Sequence, residues 1–136
     1  MNKEQFPKGI EVVATGFIKK GNKFLLAKSN NSDTWVLPGG HVEAGEKILS
    51  ACEREIEEEL GLRIKPIQII DFGEAIRQSS HFVYFIVLFE VNNDEESANL
   101  DKGELEYDWF TIDEALKLNI AEIFRDTVKS FTKFLK

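Results

Sequence analysis

Three glutamates in the stretch Glu46 to Leu60 carry the strongest chemical signal in the chain. The stretch reads as a helix, with Gly45 at its N-cap, Gly61 placed to end it and Pro66 excluding a long continuation. On a wheel of about 100° per residue, Leu49, Cys52, Ile56 and Leu60 form an apolar stripe, and Glu55, Glu58 and Glu59 form a second stripe beside it. The spacing i, i+3 and i+4 converges the three carboxylates on one patch, where they repel one another. Glu58 and Glu59 also lie in the last turn, where the negative end of the helix dipole makes an acid unfavourable by a few tenths to about 1 kcal/mol. A hard divalent cation offsets both costs. Mg²⁺ suits the site, because it takes oxygen ligands and is commonly held by one or two carboxylates together with substrate phosphates. The adjacent Gly39 and Gly40 form a turn able to bring a backbone carbonyl to the same ion.

The elements that must position this helix are legible on either side of it. Ile10 to Lys19 is rich in β-branched residues, Lys20-Gly21-Asn22-Lys23 supplies a turn, and Phe24 to Ala27 returns, so a hairpin is expected. Asn30 to Thr34 is a polar loop, and Trp35-Val36-Leu37 a short strand stopped by Pro38-Gly39-Gly40. Ile67 to Phe72 is extended. Phe82 to Val91 is apolar on both alternating faces, as in a strand covered from both sides. Asn92 to Lys102 is an acidic, solvated loop. Tyr107 to Thr111 is a strand leading into a helix near Asp113, and a final helix over Ala121 to Leu135 lines Ile123, Phe124, Val128, Phe131 and Leu135 on one stripe. Strands set between helical segments imply an α/β/α sandwich.

Size and charge narrow the function. The 136 residues suit one domain over 1–136 with a single core. No apolar run approaches the roughly 20 residues of a membrane-spanning helix, and the polar start from Met1 to Gly9 does not read as a secretory signal. The expected location is the cytoplasm, with no membrane partner. Cys52 is the only cysteine, and within the apolar stripe it reads as a small core residue rather than a nucleophile. The net charge of −7 argues against polymeric nucleic acid, whose affinity comes largely from Lys and Arg replacing counterions. A small phosphorylated ligand remains compatible once metal ions screen the carboxylates.

In isolation, Glu57-Glu58-Glu59 reads as a solvated helix face. The full spacing changes that reading. Gly40, Glu46, Arg54, Glu55, Ile56, Glu58, Glu59, Gly61 and Leu62 fill every specified place of G-x5-E-x7-R-E-U-x-E-E-x-G-U, where U is bulky and aliphatic. Seven fixed places at roughly 1 in 15 each put a chance match at a given start below about one in 10⁸. The segment GHVEAGEKILSACEREIEEELGL thus resembles the signature of the Nudix hydrolases without a departure, and TWVLPGG before it and DWFTIDEAL after it are similar to that family's layout.

The resemblance implies a Nudix-type α/β/α sandwich with a mixed central sheet. It also implies hydrolysis, by an attacking water with Mg²⁺ or Mn²⁺, of a nucleoside diphosphate linked to another group. Carried over residue by residue, Glu55, Glu58 and Glu59 are metal ligands with the carbonyl of Gly39, Arg54 orients a catalytic carboxylate, and Glu46 is a structural partner. On the wheel, Glu46 and Arg54 point away from the metal patch. The general base is Glu55 within the box or Glu104 in a later loop, with a solvated role for Glu104 as the alternative. Lys28, ending the second strand, is a candidate for reaching substrate phosphate, against an ordinary solvated lysine. Trp35 and Trp109 read as packing residues more than as stacking platforms. His41, with only His81 as a second histidine, does not suggest zinc.

Three functions are compatible with this reading: a MutT-like pyrophosphatase of nucleoside triphosphates; a hydrolase of ADP-ribose, a nucleotide sugar or a dinucleoside polyphosphate; and a non-catalytic nucleotide sensor. An intact box disfavours the sensor. The proline or tyrosine that marks some subfamilies 15 to 17 residues past the box is absent from Ile76 to Ser79, which leans towards a nucleoside triphosphate. The expected partner is a small nucleotide-like diphosphate, and a homodimer is left open.

Overall fold

The structure, a computed structural model, describes residues 5–92 and 103–135. Most of the acidic segment after Asn92 therefore lies outside the described residues. The hairpin forms as its turn chemistry requires: β1 (Ile10–Lys20) and β2 (Lys23–Lys28) pair antiparallel, Lys19 against Phe24, around Gly21 at φ 62°. β4 (Gln68–Arg77) and β5 (Ser80–Glu90) form a second antiparallel pair, and β6 (Glu106–Phe110) closes against β2. The strand order is β4-β5-β1-β2-β6, with β3 (Gly39–His41) pairing β1 on the side. β1 and β5 run parallel along their whole length, so the sheet is mixed, as expected.

In place of the single core expected from length, two core clusters sit on opposite faces of the sheet. Helix α1 (Ile48–Leu60) buries Ala51, Cys52, Ile56 and Leu60 against Ala14, Ile18, Val87 and Phe89. Gly16 lets α1 come close, since a Cβ there would meet Ile56 Cδ1 at 2.7 Å. Helices α2 (Ile112–Leu116) and α3 (Glu122–Ser130), with the 3-10 turn Phe131–Phe134, cover Phe17, Phe24, Leu26 and Ile86 on the other face. Phe131 stacks on Phe17 with ring centroids 3.9 Å apart. This is the α/β/α sandwich read from the sequence. No helix among the described residues is long and apolar enough to cross a membrane.

Several local expectations are corrected. The helix starts at Ile48 with Lys47 as N-cap, not at Glu46 after a Gly45 cap. Glu46 is held in the preceding turn, where its N–H donates to the Glu43 carbonyl and its carboxylate accepts the Glu43 N–H. Gly39-Gly40 is not a turn but the start of β3, pairing Thr15 and Ala14. Trp35 and Val36 form isolated bridges to Ile120 and Ala27 instead of a strand. The last helix ends at Ser130 and tightens into a 3-10 turn. β5 is fully covered only at Ile86, Val87 and Phe89, because α1 does not extend over its first half.

Candidate active site

The acidic ridge of α1 meets β3 at two glycines whose side-chain space is already taken. A Cβ on Gly40 would overlap the carboxylate of Glu55. A Cβ on Gly39 would overlap the Ala14 carbonyl, and Gly39 also holds φ at 153°, which L side chains rarely adopt. With no side chain there, the Gly39 N–H donates to Glu59 Oε1 at 2.8 Å. The contact on Gly39 is thus made by its amide, to a carboxylate, whereas the sequence pointed to its carbonyl, on a metal.

Arg54 joins the parts. Its Nε and Nη2 donate to the two oxygens of Glu46 at 2.7 and 2.9 Å, Nη2 also reaches the His41 carbonyl at 3.1 Å, and Nη1 donates to Glu55 Oε1 at 2.9 Å. Both oxygens of Glu58 lie 3.4 Å from Nη1. The wheel had turned Arg54 and Glu46 away from the patch. That is corrected on both counts: Glu46 is not on the helix, and Arg54, four residues before Glu58, lies only about 40° from it on the helix surface, where the two side chains meet. The bidentate pair holds the Glu46 carboxyl down at about 2 and raises the Arg54 guanidinium further.

Glu59 carries a strongly shifted carboxyl. Burial pushes its carboxyl up to about 7, the Gly39 N–H partly opposes this, and the charges of Glu55, Glu104 and Glu58 add to the rise. Glu104 comes near because the loop before β6 docks on the end of α1. The Leu105 N–H donates to the Glu59 carbonyl at 2.8 Å, and Gly103 lies so close that a Cβ would overlap that same carbonyl. Leu60, Glu104, Glu106, Tyr107 and Asn30 line a cleft of about 440 Å³ beside this junction.

Lys28 reaches the cleft edge but is engaged there. Its Nζ lies 3.1 Å from Glu106, 3.3 Å from the Ser32 carbonyl and 5.4 Å from the centre of the Trp35 ring. Trp35 packs edge-on against Phe110, and Trp109 against Tyr107, in keeping with packing roles. His41 pairs with Glu11 at 2.9 Å. Glu11, Glu106 and Gly103 were not singled out from sequence. The strand register that sets Lys28 opposite Glu106 and Val13 opposite His41 is what reveals the two glutamates.

Among the described residues, no three His, Cys, Asp or Glu side chains stand together as a formed metal-binding group. Glu55 and Glu58 turn to Arg54, and Glu59 turns to Gly39. The donor set still fits a hard divalent ion. It is all carboxylate oxygen, and the absence of a side chain at Gly40 leaves the Glu55 carboxylate its place on the ridge, where a Cβ would overlap it.

This fold recurs among solved structures. The chain matches the E. coli ORF135 protein with a TM-score of 0.75 at 20% identity, covering 98% of this chain and 94% of that one. It matches a MutT NUDIX hydrolase of Burkholderia pseudomallei with a TM-score of 0.73 at 25% identity, covering 88% and 96%. The architecture is therefore that of a Nudix-type α/β/α sandwich. The family model for the NUDIX domain matches residues 8–131, and the chain belongs to the Nudix family. Among relatives, an ADP-ribose pyrophosphatase of Methanocaldococcus jannaschii is 34% identical over 101 residues, 71% of this chain and 60% of that protein. Diphosphoinositol polyphosphate phosphohydrolase 2 of Rattus norvegicus is 31% identical over 96 residues, 69% of this chain and 52% of that protein. The chain thus spans little more than half the length of these relatives.

Proposed function

We propose that this chain hydrolyses a diphosphate linkage in a small nucleotide, with a nucleoside triphosphate as the preferred substrate and pyrophosphate as a product. The observation that carries the reading is the cluster of Glu55, Glu58 and Glu59 packed against Gly39 and Gly40 and tied to Arg54. In this reading, Glu55, Glu58 and Glu59 hold Mg²⁺, or Mn²⁺ in its place, together with the Gly39 carbonyl. The ion, when bound, neutralises phosphate charge and lowers the pKa of a water. Arg54 fixes the Glu55 carboxylate. The proton of the attacking water passes to Glu55 or, from the facing loop, to Glu104. Lys28, released from Glu106, reaches a phosphate oxygen at the edge of the cleft.

The cleft disfavours the most densely phosphorylated substrates. Glu104 and Glu106 line it, and Lys28 is already paired to Glu106. A densely phosphorylated inositol would meet repulsion there that a nucleotide largely avoids. ADP-ribose and nucleotide sugars are the next candidates, supported by the archaeal relative. A panel of nucleoside triphosphates, ADP-ribose, nucleotide sugars and dinucleoside polyphosphates with Mg²⁺, scored for pyrophosphate, phosphate and mononucleotide, tests the proposal. Nucleotide binding without turnover of any compound contradicts it.

A further inference from the structure

Among the described residues, the large apolar side chains left exposed are Ile10, Ile67, Ile69, Phe72 and Ile76, and all but Ile10 lie on or beside β4. Phe72 is 71% exposed and Ile76 50%. Among the described residues, β4 is the edge of the sheet, with β5 on one side and no strand on the other. A long apolar edge of this kind is a template for another strand. The Phe72 N–H does not go to β5 but takes the adjacent Asp71 Oδ1 at 2.8 Å. By the two-residue period of a strand, the backbone groups of Phe72, Glu74 and Ile76 therefore face the open edge.

The sequence of this edge complements itself. From Asp71 to Arg77 it reads DFGEAIR, and reversing the segment about Glu74 sets Asp71 opposite Arg77, Phe72 opposite Ile76 and Gly73 opposite Ala75. This register joins outward-facing backbone groups to outward-facing ones, as an antiparallel ladder requires. Moving it by two residues in either direction sets an apolar side chain against Glu74 and unpairs Asp71 from Arg77. Neither Asp71 nor Arg77 has an ion pair among the described residues; Asp71 accepts the Phe72 N–H, and pairing of the two edges exchanges that bond for a ladder bond and turns the Asp71 carboxylate to Arg77 of the second copy. The one like-charge contact in this register is Glu74 against its copy on the axis, at side chains exposed enough for solvent to screen the repulsion. The strand is regular from Asp71 onwards, the register shift being confined to Ile69/Asp71.

We infer that β4 is a dimerisation edge, pairing antiparallel with β4 of a second copy about a two-fold axis at Glu74 to make one continuous sheet. Such an interface is isologous, so each charge pair occurs twice. Full-length protein in sedimentation equilibrium across the micromolar range tests this. Wild type is expected to dimerise, and Arg77→Asp or Asp71→Arg, each setting like charges opposite one another at two places, is expected to weaken the dimer by about tenfold or more. The double variant Asp71→Arg/Arg77→Asp restores the pair in reverse and is expected to return to within about threefold of wild type. Thermal unfolding of each variant checks that it is folded, and the double variant keeps the test valid if one single variant is not. A wild-type chain that stays monomeric, which would assign the edge to a different partner, overturns the inference. So does a dimer indifferent to the single reversals, or a double variant no tighter than either single one.

Discussion

The Gly39 N–H donates to Glu59 Oε1 at 2.8 Å, and this bond fastens the last turn of α1 to the strand that begins beside it. Among the described residues it is the interaction that eases the Glu59 carboxylate, against burial and three neighbouring acids. If the ridge holds a cation, as proposed, its behaviour without one follows from this burial and these charges.

With its carboxyl raised to about 7 from an ordinary 4.5, folded Glu59 binds a proton more tightly than unfolded Glu59. Between those values the native state holds more protons, so the contribution to stability is complete below about pH 4.5 and is lost as the pH rises through 7. In chelator-treated protein, this group should lower the thermal midpoint over that window, and Glu59→Gln should flatten the fall. Added Mg²⁺ or Mn²⁺ should raise the midpoint more at pH 8 than at pH 5. Scanning calorimetry with and without metal checks both.

Gly40→Ala places a methyl group in the space of the Glu55 carboxylate. The carboxylate must move by about an ångström or more, and a displacement of that size costs about 100-fold in rate. The expected result is a fall of that order in kcat with the fold retained by circular dichroism. Unchanged kcat would mean that Glu55 is not used where it stands.

Arg54→Lys keeps the charge but not the fork that grips Glu46 and reaches Glu55 and Glu58. Activity is expected to fall by about 10- to 100-fold, as for other residues that orient ligands. The Glu46 carboxyl, held at about 2 by Arg54, contributes stability that is present above pH 4.5 and lost as the pH falls towards 2. The variant should lose part of that contribution, which acid titration followed by fluorescence will read.

Gly103 has backbone of α1 where a side chain would be, and its neighbour Glu104 is the loop candidate for the base. Gly103→Ala should push the loop off Glu59 and lower kcat more than it raises KM. If that loss runs through Glu104, the alanine should have little further effect in a Glu104→Gln background. Equal effects in both backgrounds would assign Gly103 to stability alone.

Much of this was legible in the residues. The stripe of Cys52, Ile56 and Leu60, the stop at Gly61 and the box from Gly40 to Leu62 located the helix and its acids. Hydrophobic patterning found the hairpin, β5 and β6. What escaped depends on contacts between segments far apart in the chain. Gly39-Gly40 looks like a turn until β1 is present to pair with it. The i,i+4 spacing of Arg54 and Glu58 did place them side by side, but the grip of Arg54 on Glu46 needs the turn before the helix. The Lys28 pair with Glu106 needs the register of β2 on β6. The docking of Gly103 has no local signal at all.

The central claim is that the α1 carboxylates hold the ion that drives diphosphate cleavage. Glu58→Gln tests it most directly, assayed on the best substrate of the panel across an Mg²⁺ titration, with thermal unfolding measured alongside. Glu58 is half-exposed in a last turn without a basic residue, so the neutral side chain should leave the midpoint unchanged or slightly higher. A loss of about 100-fold or more in kcat/KM is expected, since a misheld metal forfeits several kcal/mol of transition-state stabilisation. Activity equal to wild type at saturating Mg²⁺ would contradict it.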